Sequence, residues 1–156
     1  MSAKPVLRSY RPTDLDAVIT VFLDAIREVA SRDYDPAQVD AWAQADRTAW
    51  EQQCLSRPTW VAVLDEAIVG FADLEPDGHI DVLYVHPAYQ GVGVASLLLE
   101  RVEAAAMGQG LSHVFTEASL TARPFFERWG FQVLARQQVA LRGQTLARFQ
   151  MQKTIG

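Results

Sequence analysis

The chain has one cysteine, Cys54, and that scarcity excludes an internal disulfide and a thiolate metal cluster. A lone thiol of this kind reads as buried or idle, and it receives no role. Basic residues are outnumbered, 14 Lys and Arg against 19 Asp and Glu, and a net charge of −5 argues against a nucleic-acid partner, which would need a basic patch. Long apolar runs are missing too. No stretch of about 18 apolar residues could span a bilayer, and the start Met1-Ser2-Ala3-Lys4-Pro5 lacks the apolar segment of a secretory leader. The expectation is therefore a cytoplasmic protein with no membrane partner. What is present is ordinary globular composition, 49% hydrophobic and 21% charged over 156 residues, enough for one domain with a real core.

The chain is organised around the stretch from His79 to Ala95. Residues 80–85 are β-branched, aromatic or aliphatic apart from Asp81, which predicts a strand. Pro87 removes a backbone donor and stops it. Gly91 and Gly93 then let the backbone turn tightly and approach a ligand closely, and an amphipathic helix follows. The first turn of a helix offers unpaired N–H groups and the positive end of its dipole, which together suit a phosphate. Two familiar phosphate loops do not fit. A Walker loop ends in Gly-Lys-Ser/Thr where this one has Gly93-Val94-Ala95, and a dinucleotide fingerprint needs three spaced glycines.

On either side the elements follow from periodicity. Val6 to Tyr10 alternates as a short strand, Thr13 or Asp14 caps a helix, and Leu15, Val18, Phe22 and Ile26 give that helix one apolar stripe through Ala30. Pro36 opens a short helix through Trp42, and a further helical turn spans 48–54. Tyr34, Trp42 and Trp50 in this segment either line an acceptor pocket or pack the helices on the sheet; the composition leaves both open. His86 and His113 read as surface residues. A hairpin joins 59–64 to 67–74 with Gly70 at a bulge, and Pro76-Asp77-Gly78 turns into the organising strand. The helix after the loop ends near Gly108 or Gly110. Residues 114–118 then form a strand parallel to 80–85, by the right-handed crossover rule. Pro124 opens another short helix, Gly130 ends it, and strands over 131–141 and 146–153 complete the sheet.

Two segments carry a family resemblance. Gln90-Gly91-Val92-Gly93-Val94-Ala95, after a strand ending Leu-x-Val-x-Pro, resembles the pyrophosphate loop Arg/Gln-x-x-Gly-x-Gly/Ala of the GCN5-related N-acetyltransferases (GNAT superfamily). Ala122 to Phe131 resembles a second motif of that superfamily, Ala-x-x-Phe-Tyr-x-x-x-Gly-Phe. The segments 34–42 and 119–143 are similar to its YafP-like branch. The resemblance implies an α/β fold, a single N-acetyltransferase domain over 1–156. It would have about seven mostly antiparallel strands, one splayed parallel pair, and helices on both faces. It also implies acetyl-CoA as cosubstrate without a metal, and direct transfer to the primary amine of a small molecule or peptide. A homodimer is compatible with it.

Site residues follow from the same resemblance. Leu83 and Val85 would pair with the pantetheine arm by backbone, and the Val85 N–H would hold the developing oxyanion. Gln90, Gly91, Val92, Gly93, Val94 and Ala95 would cradle the pyrophosphate. Ser119 stands where relatives often place an Asn that touches the cofactor's arm. Phe126, also against the cofactor, stands where the usual general acid is a Tyr. It has no proton to give. An attacking amine still needs a base, because an alkylammonium is mostly protonated at neutral pH, and Asp81, His79 and Glu117 are the candidates. His79 and Asp81 are placed by strand alternation on one face with Leu83 and Val85. The rival to an active enzyme is a catalytically reduced acyl-CoA-binding sensor, with a plain interaction domain behind both.

Overall fold

A computed structural model describes residues 4–156, with strands β1 (Val6–Ser9), β2 (Thr59–Leu64), β3 (Ala67–Asp73), β4 (Leu83–Val85), β5 (His113–Ser119), β6 (Gln132–Leu141) and β7 (Gln144–Thr154). The helices are α1 (Leu15–Glu28), α2 (Pro36–Trp42), α3 (Arg47–Ser56), α4 (Val94–Gly108) and α5 (Arg123–Arg128). Among the described residues no helix is long and apolar enough to cross a membrane.

The strands form two antiparallel sheets, ordered β1-β2-β3-β4 and β5-β7-β6. One parallel bridge, His79 to Phe115, joins them. There the Ile80 N–H donates to the Phe115 carbonyl at 2.8 Å and the Phe115 N–H to the Gly78 carbonyl at 3.1 Å. The parallel pairing expected along 80–85 is thus displaced toward Gly78 and only one bridge long. The cause is the buried Asp73, whose Oδ1 accepts the N–H groups of Asp81 at 2.9 Å and Val82 at 3.1 Å. Those donors are lost to any ladder, β4 starts only at Leu83, and beyond the bridge β4 and β5 splay apart.

Helices cover both faces. α1 buries Val18, Phe22 and Ile26 against Val61, Phe71 and Val82, while α4 buries Leu98, Leu99 and Val102 on the opposite side with Val69 and Val114. Truncating a fully buried leucine such as Leu98 to Ala would cost about 2–5 kcal/mol through lost burial and the cavity left behind. α4 sits close because β3 offers Gly70 beneath it: a Cβ there would lie 2.9 Å from Val94 Cγ1 and 3.1 Å from the Tyr84 carbonyl oxygen. The bulge falls beside this glycine, at Val69, where the β2–β3 register slips by one residue.

At two termini the local chemistry can be checked. Pro36 does open α2, under a capping box in which the Gln38 N–H donates to Asp35 at 2.8 Å and the Asp35 N–H to Gln38 at 2.9 Å. Asp14, by contrast, does not cap α1. Its carboxylate takes the Arg8 guanidinium at 2.7 and 2.8 Å and the Arg11 N–H at 2.8 Å, and the Arg8 hydrogen bonds hold its pKa below the usual range. A charged partner on the preceding strand, six residues away, outcompetes the local helix end.

Candidate active site

The wedge between β4 and β5 is the first of two adjoining cavities. The ladder from β4 to β3 uses even-numbered residues: the Val82 carbonyl accepts from the Asp73 N–H at 3.2 Å, and the His86 N–H donates to Val69 at 2.8 Å. Antiparallel strands alternate the direction of their backbone groups, so the amides of Leu83 and Val85 point to the open side. Gln90 Nε2 donates to the Val85 carbonyl at 2.9 Å, so this side chain braces β4 instead of reaching into the loop. The cavity, of about 160 Å³, is lined by Leu83, Val85, Gln90, Ala95, Ser119 and Phe126 among others.

Below this wedge the glycine loop runs into α4. Gly91 and Gly93 have φ of 76° and 86°, values that favour glycine. A Cβ on Gly91 would meet nothing within 4 Å and one on Gly93 only Ser96 Oγ at 3.9 Å, so the loop's concave side is open. Val94 is buried against the Gly70 gap while Val92 is exposed, which pins the loop at one end. The Leu97 N–H is bonded to the Gly93 carbonyl at 3.1 Å, and the N–H groups of the preceding turn fall before the intrahelical ladder. Free donors, open space and the dipole of a 15-residue helix fit a pyrophosphate.

Phe126, on α5, is buried between Phe125 and Phe131, at ring distances of 5.3 and 5.0 Å. Ser119, at the end of β5, accepts the Ala122 N–H at 3.0 Å and so starts the turn into α5, with its own proton still to donate.

A second cavity, of about 170 Å³, shares Trp42, Tyr84 and Ser119 with the first and adds Tyr34, Asp81, Glu117 and Arg148 among its walls. Tyr34 and Trp42 therefore line a site, whereas Trp50 packs in the core, 4.7 Å from Phe22 and 5.7 Å from Phe71. The Tyr34 hydroxyl donates to the Ala147 carbonyl at 2.6 Å and accepts the Leu120 N–H at 2.9 Å, fastening the α1–α2 connection over the second sheet. Tyr84, whose pKa is raised chiefly by burial, keeps its proton on the wall common to both cavities.

The three candidate bases are placed differently. Asp81 and Glu117 line the second cavity. His79 lines neither cavity; it stands behind Glu117, with Nε2 2.8 Å from Glu117 Oε2 and Nδ1 2.7 Å from Glu75 Oε1, its ring stacked on Phe115 at 5.0 Å. Burial is the largest single influence on the imidazole and pulls its pKa down, but hydrogen bonding to Glu75 and the charge of Glu117 outweigh it and the net shift is upward. The expectation that His79 and Asp81 share a face with Leu83 and Val85 is corrected here, since residues 78–82 are bent by Asp73 and lack strand alternation. Asp81 accepts from Gln53 Nε2 at 2.7 Å and lies 3.6 Å from Arg57, which also faces Glu75 at 3.1 Å and Asp73 at 3.4 Å. Burial pushes the Asp73 carboxyl up to about 6, against the pull of the Val82 N–H. Cys54 is buried and its thiol pushed up to about 11 by that burial, which makes it a poor nucleophile.

Arg148 and Glu75 escaped the sequence reading, and Tyr84, near the loop in sequence, was given no role by it. Tyr84 had a local signal, a polar tip inside an apolar strand, whereas Arg148 is brought in by strand register and Glu75 by the tight turn that sets it against His79 four residues on.

The acetyltransferase (GNAT) domain family matches residues 30–154. The chain is 37% identical over 145 residues, 93% of each protein, to the N-acetyltransferase YafP of Escherichia coli (strain K12). The crystal structure of a GCN5-related N-acetyltransferase from Rhodopseudomonas palustris superposes with a TM-score of 0.94 at 34% identity, covering 99% of this chain and 98% of that one. The PaiA N-acetyltransferase of Thermoplasma acidophilum, in complex with coenzyme A, shares the fold at a TM-score of 0.75 and 17% identity, over 97% of this chain and 99% of that one. The chain belongs to the GNAT acetyltransferase family, and it is an acyltransferase. Its likeness to YafP runs along most of its length and agrees with the branch read from its own residues.

Proposed function

We propose that this chain transfers an acetyl group from acetyl-CoA directly to the primary amine of a small molecule, in the cytoplasm, as one N-acetyltransferase domain. The observation that carries the reading is the junction of two cavities: one is lined by the open edge of β4 and by Gln90 and Ala95 at the two ends of the glycine loop, the other by two carboxylates, and Trp42, Tyr84 and Ser119 are common to both. Acetyl-CoA, when bound, supplies an activated carbonyl and a thiolate leaving group. The N–H groups of the Gly91 to Ala95 turn hold its pyrophosphate, and Leu83 and Val85 hold its arm by backbone. The Val85 N–H is fixed by the β3–β4 ladder and by Gln90, so it meets the growing negative charge on the carbonyl oxygen without rearrangement.

On the acceptor side Glu117 is the base this geometry favours, because it faces the cavity while His79 holds it from behind. His79 is a positioning residue: both of its ring nitrogens are engaged by carboxylates, at 2.7 and 2.8 Å, and the ring lines neither cavity. Asp81 draws the ammonium form in by charge. Phe126 gives no proton to the departing sulfur; of the residues common to both cavities Tyr84 carries the phenolic hydroxyl, its pKa raised by burial, that can hydrogen-bond the leaving thiolate.

Thiol release from acetyl-CoA across a panel of primary amines tests the reading, with calorimetric binding of coenzyme A measured beside it. Amine-dependent release supports transfer. The buried, protonless Phe126 favours a second reading, an acyl-CoA sensor, which predicts tight coenzyme A binding with no release for any amine.

A further inference from the structure

The second cavity carries opposite charges on its walls. We infer that its ligand is a compact zwitterion, a free α-amino acid with an apolar side chain, and that Arg148 binds the carboxylate; this rests on the acetyl-transfer reading of the same site. Arg148 lies on β7 and is the Cα partner of Ser119 on β5 and of Gln137 on β6. Its Nε donates to Gln137 Oε1 at 3.1 Å, which orients the guanidinium while using neither Nη group. Among the described residues no carboxylate lies within ion-pairing distance of it, in a chain whose net charge is −5. An acid was within reach: Glu117 is two residues from Ser119 on the same face of β5, diagonal to Arg148. His79 holds that acid instead, at 2.8 Å. Arg148 lines the cavity with its Nη pair unpartnered among the described residues, a fork suited to bidentate binding of a carboxylate.

Position and lining narrow the class. Ser119, the register partner of Arg148, belongs to both cavities, so the anion site stands beside the point where they meet and the amine must react. An anionic group close to the reacting nitrogen describes an α-amino acid better than a long diamine or a lysine within a peptide. Asp81 and Glu117 attract the ammonium, and Val139, Leu141 and Leu146 with the Trp42 ring offer an apolar bed for a side chain.

The experiment compares matched probes, L-leucine with isoamylamine and L-phenylalanine with phenethylamine, by thiol release from acetyl-CoA with wild type and Arg148→Gln. The amino acid of each pair should be preferred about 10- to 100-fold in kcat/KM, and Arg148→Gln should erase the preference by raising KM for the amino acid alone. Coenzyme A affinity and the circular dichroism spectrum should be unaltered. Equal use of both members of each pair by wild type, or an equal loss for both in the variant, overturns the inference. Should coenzyme A bind while no amine releases thiol, the transferase reading falls, and the inference is decided by calorimetry on the CoA-loaded protein. L-Leucine must then bind wild type and bind Arg148→Gln about tenfold more weakly or worse; equal binding to both, or binding to neither, overturns it.

Discussion

The Glu117 carboxylate accepts from His79 Nε2 at 2.8 Å, while the other nitrogen of that ring is bonded to Glu75. Of two neighbours that both looked like bases, one is thereby left to face the cavity and the other becomes its support. Glu117→Gln should lower kcat/KM by about 10²–10⁴, the usual worth of general base catalysis, and most at low pH where fewer acceptor amines are free. His79→Gln should act more weakly and through kcat, with coenzyme A affinity little changed. Asp81→Asn should raise KM for the amine more than it lowers kcat. Full activity of Glu117→Gln across pH, with an identified acceptor, would exclude it as the base.

Gly93→Val should weaken coenzyme A binding by about tenfold or more while leaving the helix content unchanged, because its side chain would fill the open side of the loop at a φ that β-branched residues avoid. Isothermal calorimetry on the folded variant decides it. Unchanged affinity would reduce the loop to a helix start.

Phe126→Tyr introduces a hydroxyl among Phe125 and Phe131, where leaving it unpaired costs about 1–3 kcal/mol. The melting temperature should fall, and kcat should change by less than about tenfold, because thiolate departure has not depended on this position. Tyr84→Phe is the complementary variant, expected to lower kcat with little effect on KM. If Phe126→Tyr instead raised kcat a hundredfold, the missing acid would be the main barrier in the natural chain.

Asp73 predicts a pH dependence of stability. Its folded pKa, about 6, stands above the ordinary 3.8, so the fold favours the protonated form; that contribution is complete below about pH 4 and is lost as pH rises through 6. Asp73→Asn keeps an oxygen for the Asp81 and Val82 amides and removes the titration. Urea unfolding from pH 4 to 7 should therefore show wild type losing stability relative to the variant by on the order of 3 kcal/mol. Parallel curves would mean that Arg57 compensates the buried charge fully.

Much of the fold was legible in the sequence because its signals are local: the α1 stripe, the Asp35-Pro36 start of α2, the glycine pair before α4 and the Pro124 start of α5 each act within a few residues. The wedge between β4 and β5 came instead from the family resemblance, which implies a splayed parallel pair. The bend at 81–82 was not legible, since it depends on a carboxylate eight residues away that local pattern reads as the polar end of a strand. Nor were the partners of His79, 38 residues from Glu117, or the placement of Arg148, which only the β5–β7 register brings to Ser119.

The α1–α2 connection and α2 are tied to the second sheet mainly through main-chain oxygens. Tyr34 donates to the Ala147 carbonyl at 2.6 Å, Gln38 to that of Thr145 at 2.8 Å, and Arg142 in return to that of Ala41 at 2.7 Å. A carbonyl is present whatever side chain its residue carries. The side chains of β6 and β7 that line the second cavity are thus free to be exchanged without unfastening the roof above them. A lineage built this way can reshape that cavity by point substitution, one wall residue at a time, while the glycine loop and the β4 edge stay unaltered.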